Sequence, residues 1–222
     1  IIINCAMIYA YINECGLTKS RLINNGDDSV LIIEEAELHK VKNMAGWFLQ
    51  LGFTMVMEPP VRVLEKLEFC QCQPVFDGED YIMTRNPRNC IDKDLVSLLP
   101  LDTKGAYDKR RRAIALCGLS LAGGLPIYDA FYRALLRGSG NRITKDTEMS
   151  GMKYMAQGLD RQGKEVSDAA RISFELAFGF RPDEQVALEA MYNSYTLDFA
   201  FSDLDDNKDN LIYNCYHHYA SQ

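Results

Sequence analysis

The stretch Asn25-Gly26-Asp27-Asp28-Ser29-Val30 lies between the apolar runs Leu22-Ile23 and Leu31-Ile32-Ile33, and it restricts the folds open to this chain more than any other. Asn-Gly is the strongest short-range signal for a two-residue β-hairpin loop, because both residues tolerate the positive φ that the loop needs. The chain is expected to reverse there, between two strands. The flanking residues are almost wholly apolar rather than alternating, so both strands read as buried on both faces, inside a covered sheet. Two adjacent carboxylates then sit at the lip of a core, where an unpaired charge is costly unless a cation neutralises it. Mg²⁺ suits such a place, since it takes one or two carboxylates together with phosphate oxygens and water. That combination points to phosphoryl transfer. A solvated Asp-rich turn is the rival reading, because turns favour these residues on backbone grounds alone.

The surrounding order narrows the choice. The apolar stretch IIINCAMIYAYINECG reads as a helix closed by Gly16. From about Glu35 to Leu51, Leu38, Val41, Met44-Ala45 and Phe48-Leu49 recur at helical spacing; Gly52 closes that pattern, and Phe53 to Met57 reads as a strand. In EKLEFCQCQPVFDGEDYIMTRNP two strand-like runs flank Phe76-Asp77-Gly78-Glu79-Asp80, a second hairpin.

This succession resembles the palm of viral RNA-dependent RNA polymerases, in the order of motifs B, C, D and E, and is most similar to the tombusvirus-like positive-strand RNA virus replicases. The phrases that carry the likeness are NNGDDSVLI, WFLQLGFTM, KLEFCQCQPVFDG, CGLSLAGGLP and RISFELAFGFRPDEQ. The likeness implies an α+β fold. Residues 1–84 would be a partial palm, an antiparallel sheet with flanking helices that carries the end of the motif B helix, the motif C hairpin and motifs D and E. Residues 85–222 would be a mainly helical thumb.

On matching positions the resemblance implies that Asp27 is the metal-ligating aspartate of motif C and Asp28 a second, weaker ligand, with Mg²⁺, or Mn²⁺ in its place, as cofactor. Asn24, Asn25, Gly26 and Ser29 would shape the turn. Leu67 to Gln71 would form the motif E strand that supports the primer 3′ end, with Phe69, Cys70 and Gln71 in contact. Arg85 and Arg88 would grip the triphosphate of an initiating nucleotide. The substrates implied are an RNA template, its product strand and nucleoside triphosphates.

Other family features are absent from this stretch. The motif A pair Asp-x-x-x-x-Asp, the Ser-Gly-x-x-x-Thr and Asn of motif B, and the fingers would all lie upstream of Ile1. The expectation is therefore a C-terminal piece, inactive alone, whose partners include those missing parts and other replication proteins. In GFTMVMEPP, Val56 stands where the family carries a basic general acid; Lys40, Lys42 and Arg62 remain open as substitutes. The resemblance also implies a membrane-associated replication complex in host cytoplasm, with the piece itself soluble. A catalytically inactive relic that binds RNA or a partner is the alternative function.

Residues 1–84 carry 12 acidic against 6 basic side chains, so most of the net charge of −7 lies there. The basic run Lys109-Arg110-Arg111-Arg112 falls in the second part, opens a helical pattern and would attract an RNA backbone through counterion release; a solvated helix face is the bland reading. Residues 138–151 read as an exposed loop, and Asp168 to Gly179 and Asp183 to Tyr195 as amphipathic helices with Pro182 at the entry to the second.

Several other sites are discounted. In the tail Asp203 to Asp209, Lys208 replaces the glycine and Asn214 the glutamate of a calcium loop. Cys70 and Cys72 lack a second pair at zinc spacing, His217-His218 lack a carboxylate partner, and Trp47 reads as core. Seven unpatterned cysteines favour a reducing compartment. At 222 residues and 47% hydrophobic the chain can bury a core, yet no apolar run approaches the length of a membrane span.

Overall fold

A computed structural model describes residues 1–97, 101–141, 154, 156–197 and 199. Most of the loop expected at 138–151, the acidic tail Asp203 to Asp209 and the His217-His218 pair lie outside the described residues. The fold is α+β, in two compact units: one of residues 1–92, 124–126 and 165–186, the other of residues 93–123, 127–164 and 187–222.

The first unit opens with helix α1 (Ile2–Glu14), which runs into the hairpin β1 (Ser20–Asn25) and β2 (Asp28–Ile33). The hairpin is antiparallel, with Leu22 opposite Leu31, Asn24 opposite Ser29 and Asn25 opposite Asp28. One face of this ribbon, with Leu22, Leu31 and Ile33, packs on a core made by Ile8, Tyr11 and Ile12 of α1 with Val41, Met44 and Phe48. Trp47 joins that core edge-on to Tyr11 and donates its indole N–H to Glu14 at 2.8 Å.

The expectation of strands buried on both faces does not hold. Among the described residues the sheet has two strands, and on the far face Ile23 and Ile32 are each 47% exposed, with only Val30 buried there. The single helix expected over 35–51 is instead a 3₁₀ segment (Glu35–Val41) and a short helix α2 (Met44–Gln50). Glu37 anchors the 3₁₀ segment. Its carboxylate accepts the backbone N–H groups of Thr18 and Lys19 and the ammonium of Lys40 at 2.7 Å, which ties that turn to the loop after α1. No strand forms at Phe53 to Met57. Among the described residues that segment has no ladder partner, and Val56 is 88% exposed.

The second hairpin is β3 (Cys72–Phe76) against β4 (Tyr81–Arg85), followed by α3 (Pro87–Leu95). Its loop is held by Asp77, whose Oδ1 accepts the N–H groups of Glu79 and Asp80, each at 2.8 Å. Helix α6 (Asp168–Phe178) lies on β3 and is fastened by polar contacts at three levels. Ser167 caps the helix and donates to Asp77 O at 2.6 Å, Ser173 accepts Phe76 N–H at 2.8 Å and donates to the buried Glu65, and Gln73 donates to Ala177 O.

The second unit is helical. Helices α4 (Lys104–Ala122) and α5 (Tyr128–Leu136) pack at Gly118, where the ring of Tyr132 fills the place a side chain would take. Most of α7 (Pro182–Ser194) belongs to this unit, and Glu189 accepts the N–H of Ile127 just ahead of α5, a favourable site for an anion at a helix N-terminus. Among the described residues no helix is long and apolar enough to cross a membrane.

Candidate active site

The acidic turn sits one residue later than Asn-Gly predicts. Asn25 and Asp28 close the ladder, so the two loop residues are Gly26 and Asp27. Gly26 has φ +74°, while Asp27 is not among the residues of positive φ. Those signs fit a II′ turn, which asks for glycine at its first central position and lets an ordinary residue follow. The shift puts Asp27 at the tip and makes Asp28 the first residue of β2.

Three side chains brace the turn from the α1 side. Ser29 Oγ accepts the amide of Asn24 at 2.7 Å and that of Asn4 at 2.9 Å. Asn24 also donates to the carbonyls of Gly26 and Asp28, and Asn4 to Gly26 O at 3.1 Å. Cys5 donates its thiol to Asn24 Oδ1 at 3.2 Å. Asn24, Gly26 and Ser29 thus act within the turn itself. Sequence reasoning missed Asn4. Its signal is an amide early in an otherwise apolar helix.

On the opposite face the turn meets the segment expected to be a motif E strand. Phe69 to Cys72 is instead a tight turn, with Phe69 N–H to Cys72 O at 2.9 Å and Cys72 N–H to Phe69 O at 3.0 Å. Its central residues Cys70 and Gln71 have φ +52° and +59°, a left-handed conformation that costs non-glycine residues roughly 1–2 kcal/mol each. Asp28 Oδ2 accepts the Cys70 N–H at 2.8 Å, and Asn25 donates its amide to the Cys70 sulfur at 3.2 Å. Burial pushes the neighbouring Cys72 thiol above its ordinary value, which keeps it protonated.

Asp27 is exposed, and its carboxylate has no hydrogen bond or ion pair among the described residues. Asp28 is exposed too, with one oxygen engaged. Mg²⁺ takes one or two carboxylates and fills its octahedron with phosphate oxygens and water. This donor pair fits a share of such a site. Among the described residues no group of three His, Cys, Asp or Glu side chains gathers to hold a metal.

The basic residues divide by their partners. Arg88 donates to Phe178 O at 2.6 Å, at the end of α6, and lies 3.8 Å over the Phe180 ring. Arg85 ends β4, opposite Cys72. Arg111 is 5% exposed and donates to Leu197 O and Asp108, while Arg110 donates to Val96 O. Lys109 and Arg112 have neither hydrogen bond nor ion pair among the described residues. Of the candidate acids, Lys40 is committed to Gly16 O and Glu37, and Arg62 to Glu35; Lys42 is exposed.

The family model described as viral RNA dependent RNA polymerase matches residues 1–200. The chain is 41% identical over 201 residues to the RNA-directed RNA polymerase of tobacco necrosis virus (strain A), which covers 89% of this chain and 28% of that protein. It is 41% identical over 206 residues to that of maize chlorotic mottle virus, covering 90% and 21%, and 39% identical over 186 residues to that of turnip crinkle virus, covering 81% and 24%. The chain therefore spans about a quarter of the length of these relatives. No solved structure matches it.

Proposed function

The chain belongs to the family of viral RNA dependent RNA polymerases, and from that premise we propose that it is the part of an RNA-directed RNA polymerase that carries motif C at Gly26-Asp27-Asp28. Asp27 supports this reading best: it is an exposed carboxylate without a partner among the described residues, at the tip of a turn braced by Asn4, Asn24 and Ser29. Asp27 would hold the divalent ion, Mg²⁺ or Mn²⁺; Asp28 follows it in the chain, with Oδ2 engaged by the Cys70 N–H. Such ions, two in this reading, supply positive charge to the attacking 3′ hydroxyl and to the leaving pyrophosphate. The protein's own part is to fix the carboxylate before substrate arrives, which the three bracing side chains do without touching its oxygens.

The Phe69–Cys72 turn would support the primer strand, and Lys109 and Arg112 are the members of the basic run with charge left for an RNA phosphate. RNA template, product strand and nucleoside triphosphates are the partners this reading requires, with further replication proteins in a membrane-associated complex of the host cytoplasm.

The test is nucleotide incorporation by the complete polymerase containing this segment. Asp27→Ala is expected to abolish primer extension and to leave RNA affinity within about threefold, since a charge at the reacting centre matters far more to the transition state than to backbone contacts. Elongation retained by Asp27→Ala would refute the assignment.

A further inference from the structure

We propose that Asp28 is a positioning residue, which locks the Gly26-Asp27 turn to the Phe69–Cys72 turn through the backbone of Cys70. The inference rests on the polymerase reading, in which one turn holds the catalytic acid and the other the primer strand.

The hairpin register carries the argument. Asn25 and Asp28 are direct cross-strand partners, so their side chains leave the same face of the ribbon. Both reach residue 70. Asp28 Oδ2 accepts the Cys70 N–H at 2.8 Å, within the range of charge-assisted hydrogen bonds, and Asn25 donates to the Cys70 sulfur at 3.2 Å. The Phe69–Cys72 turn closes with the backbone groups of Phe69 and Cys72 alone, so its own pairing leaves the Cys70 N–H free, and the carboxylate takes it. Cys70 and Gln71 are both left-handed without glycine's freedom, so this turn needs support from outside. Asp27, one residue earlier, keeps its carboxylate free of partners among the described residues. The adjacent acids therefore divide the work: Asp27 faces the reaction, and Asp28 fixes the distance between the reacting centre and the strand to be extended.

Asn and Ala substitutions separate this role from metal ligation. Asp28→Asn keeps an oxygen that can accept the Cys70 N–H but loses the charge a metal ligand needs; Asp28→Ala loses both. The experiment uses the complete polymerase and three readouts: amide hydrogen exchange of the peptide spanning residues 67–73, primer-extension kinetics on a primed RNA, and the half-saturating Mg²⁺ concentration.

Asp28→Ala is expected to speed exchange at Cys70 and raise KM for the primed RNA about tenfold, with half-saturating Mg²⁺ unmoved. Asp28→Asn is expected to recover most of both losses. Cys70→Gly added to Asp28→Ala is expected to recover part of the KM, because glycine adopts the left-handed turn without support. Asp28→Asn as impaired as Asp28→Ala, with half-saturating Mg²⁺ shifted, would make Asp28 a metal ligand and overturn the proposal. Unchanged exchange at Cys70 in Asp28→Ala would overturn it as well. Should Asp28→Ala not fold, Asp28→Asn alone decides, through Cys70 exchange and half-saturating Mg²⁺. The polymerase reading fails by a different sign, incorporation that survives Asp27→Ala, and the exchange readout then still judges the lock.

Discussion

Gly118→Ala sets two effects of opposite sign against each other. Gly118 lies inside α4, where replacing glycine by alanine in an isolated helix stabilises by about 1 kcal/mol. The packing opposes this. A Cβ at residue 118 would stand 2.2 Å from Cε1, 2.3 Å from Cδ1 and 2.4 Å from Cζ of Tyr132, whereas carbon atoms sit comfortably at about 3.5–4 Å. The ring must therefore retreat by more than about 1 Å. It has little room to do so: Tyr132 is 1% exposed, and its hydroxyl donates to the buried Asp94 at 2.6 Å. Overpacking of this kind costs about 1–3 kcal/mol. Breaking a hydrogen bond to a charged group adds about 1.5–3 kcal/mol. Set against the gain in propensity, the net loss is about 1.5–5 kcal/mol. In urea unfolding followed by far-UV circular dichroism, a loss of 3 kcal/mol lowers the midpoint by about 1.5 M for a slope near 2 kcal/mol/M. Trimming the ring as well, in Gly118→Ala with Tyr132→Leu, should give a coupling energy above about 1 kcal/mol, since the two residues touch. A Gly118→Ala midpoint at or above that of the parent would refute the reasoning, because propensity would then have outweighed the contact.

Two further outcomes follow from polar groups that hold the first unit. The Glu37 carboxyl is pulled down to about 2 from 4.5, first by the hydrogen bond from Lys40 and then, against the opposing effect of burial, by the N–H groups of Thr18 and Lys19. A depressed folded-state pKa contributes stability above 4.5 that is lost as pH falls toward 2. Glu37→Gln should therefore flatten the pH dependence of unfolding between those limits; an unaltered acid slope would show that Glu37 is not its source. Ser167 both caps α6 and donates to Asp77 O, so Ser167→Ala should cost about 2 kcal/mol in the same urea assay, and a loss under about 0.5 kcal/mol would show the cap to be idle.

What the sequence disclosed was set by the range of the interactions concerned. Helices α1, α6 and α7 begin and end within a residue or two of their signals, because Gly16, Ser167, Gly179 and Pro182 act on their own backbone. Strand character at Phe53 to Met57 was not a local matter. An extended run becomes a strand only beside a partner, and among the described residues that segment has none. The turn at Phe69–Cys72 carried no glycine or asparagine signal at all. Its left-handed residues are supported by Asp28 and Asn25, more than 40 residues away in sequence, which no window of local pattern can reveal.

The same limit governs which charged residues are free to act. Four consecutive helical residues fan out at about 100° each, so Lys109 to Arg112 cannot all face one ligand. Arg111 turns inward to Asp108 and Leu197 O, and Arg110 reaches Val96 O. The run announced basic charge but not its direction. In the acidic turn the issue is which two residues form the loop: moving it by one changes each cross-strand partner by two, so strand side chains keep their faces and only the residues at the tip change. With Asn25-Gly26 as the loop, Asp27 would open β2 opposite Asn24 and face α1, the side away from Cys70. With Gly26-Asp27 as the loop, Asp28 is the residue committed to Cys70 and Asp27 the one left open to solvent. The placement of glycine before the pair, at the position that demands positive φ, is thus what separates two chemically identical neighbours into a reacting group and a support.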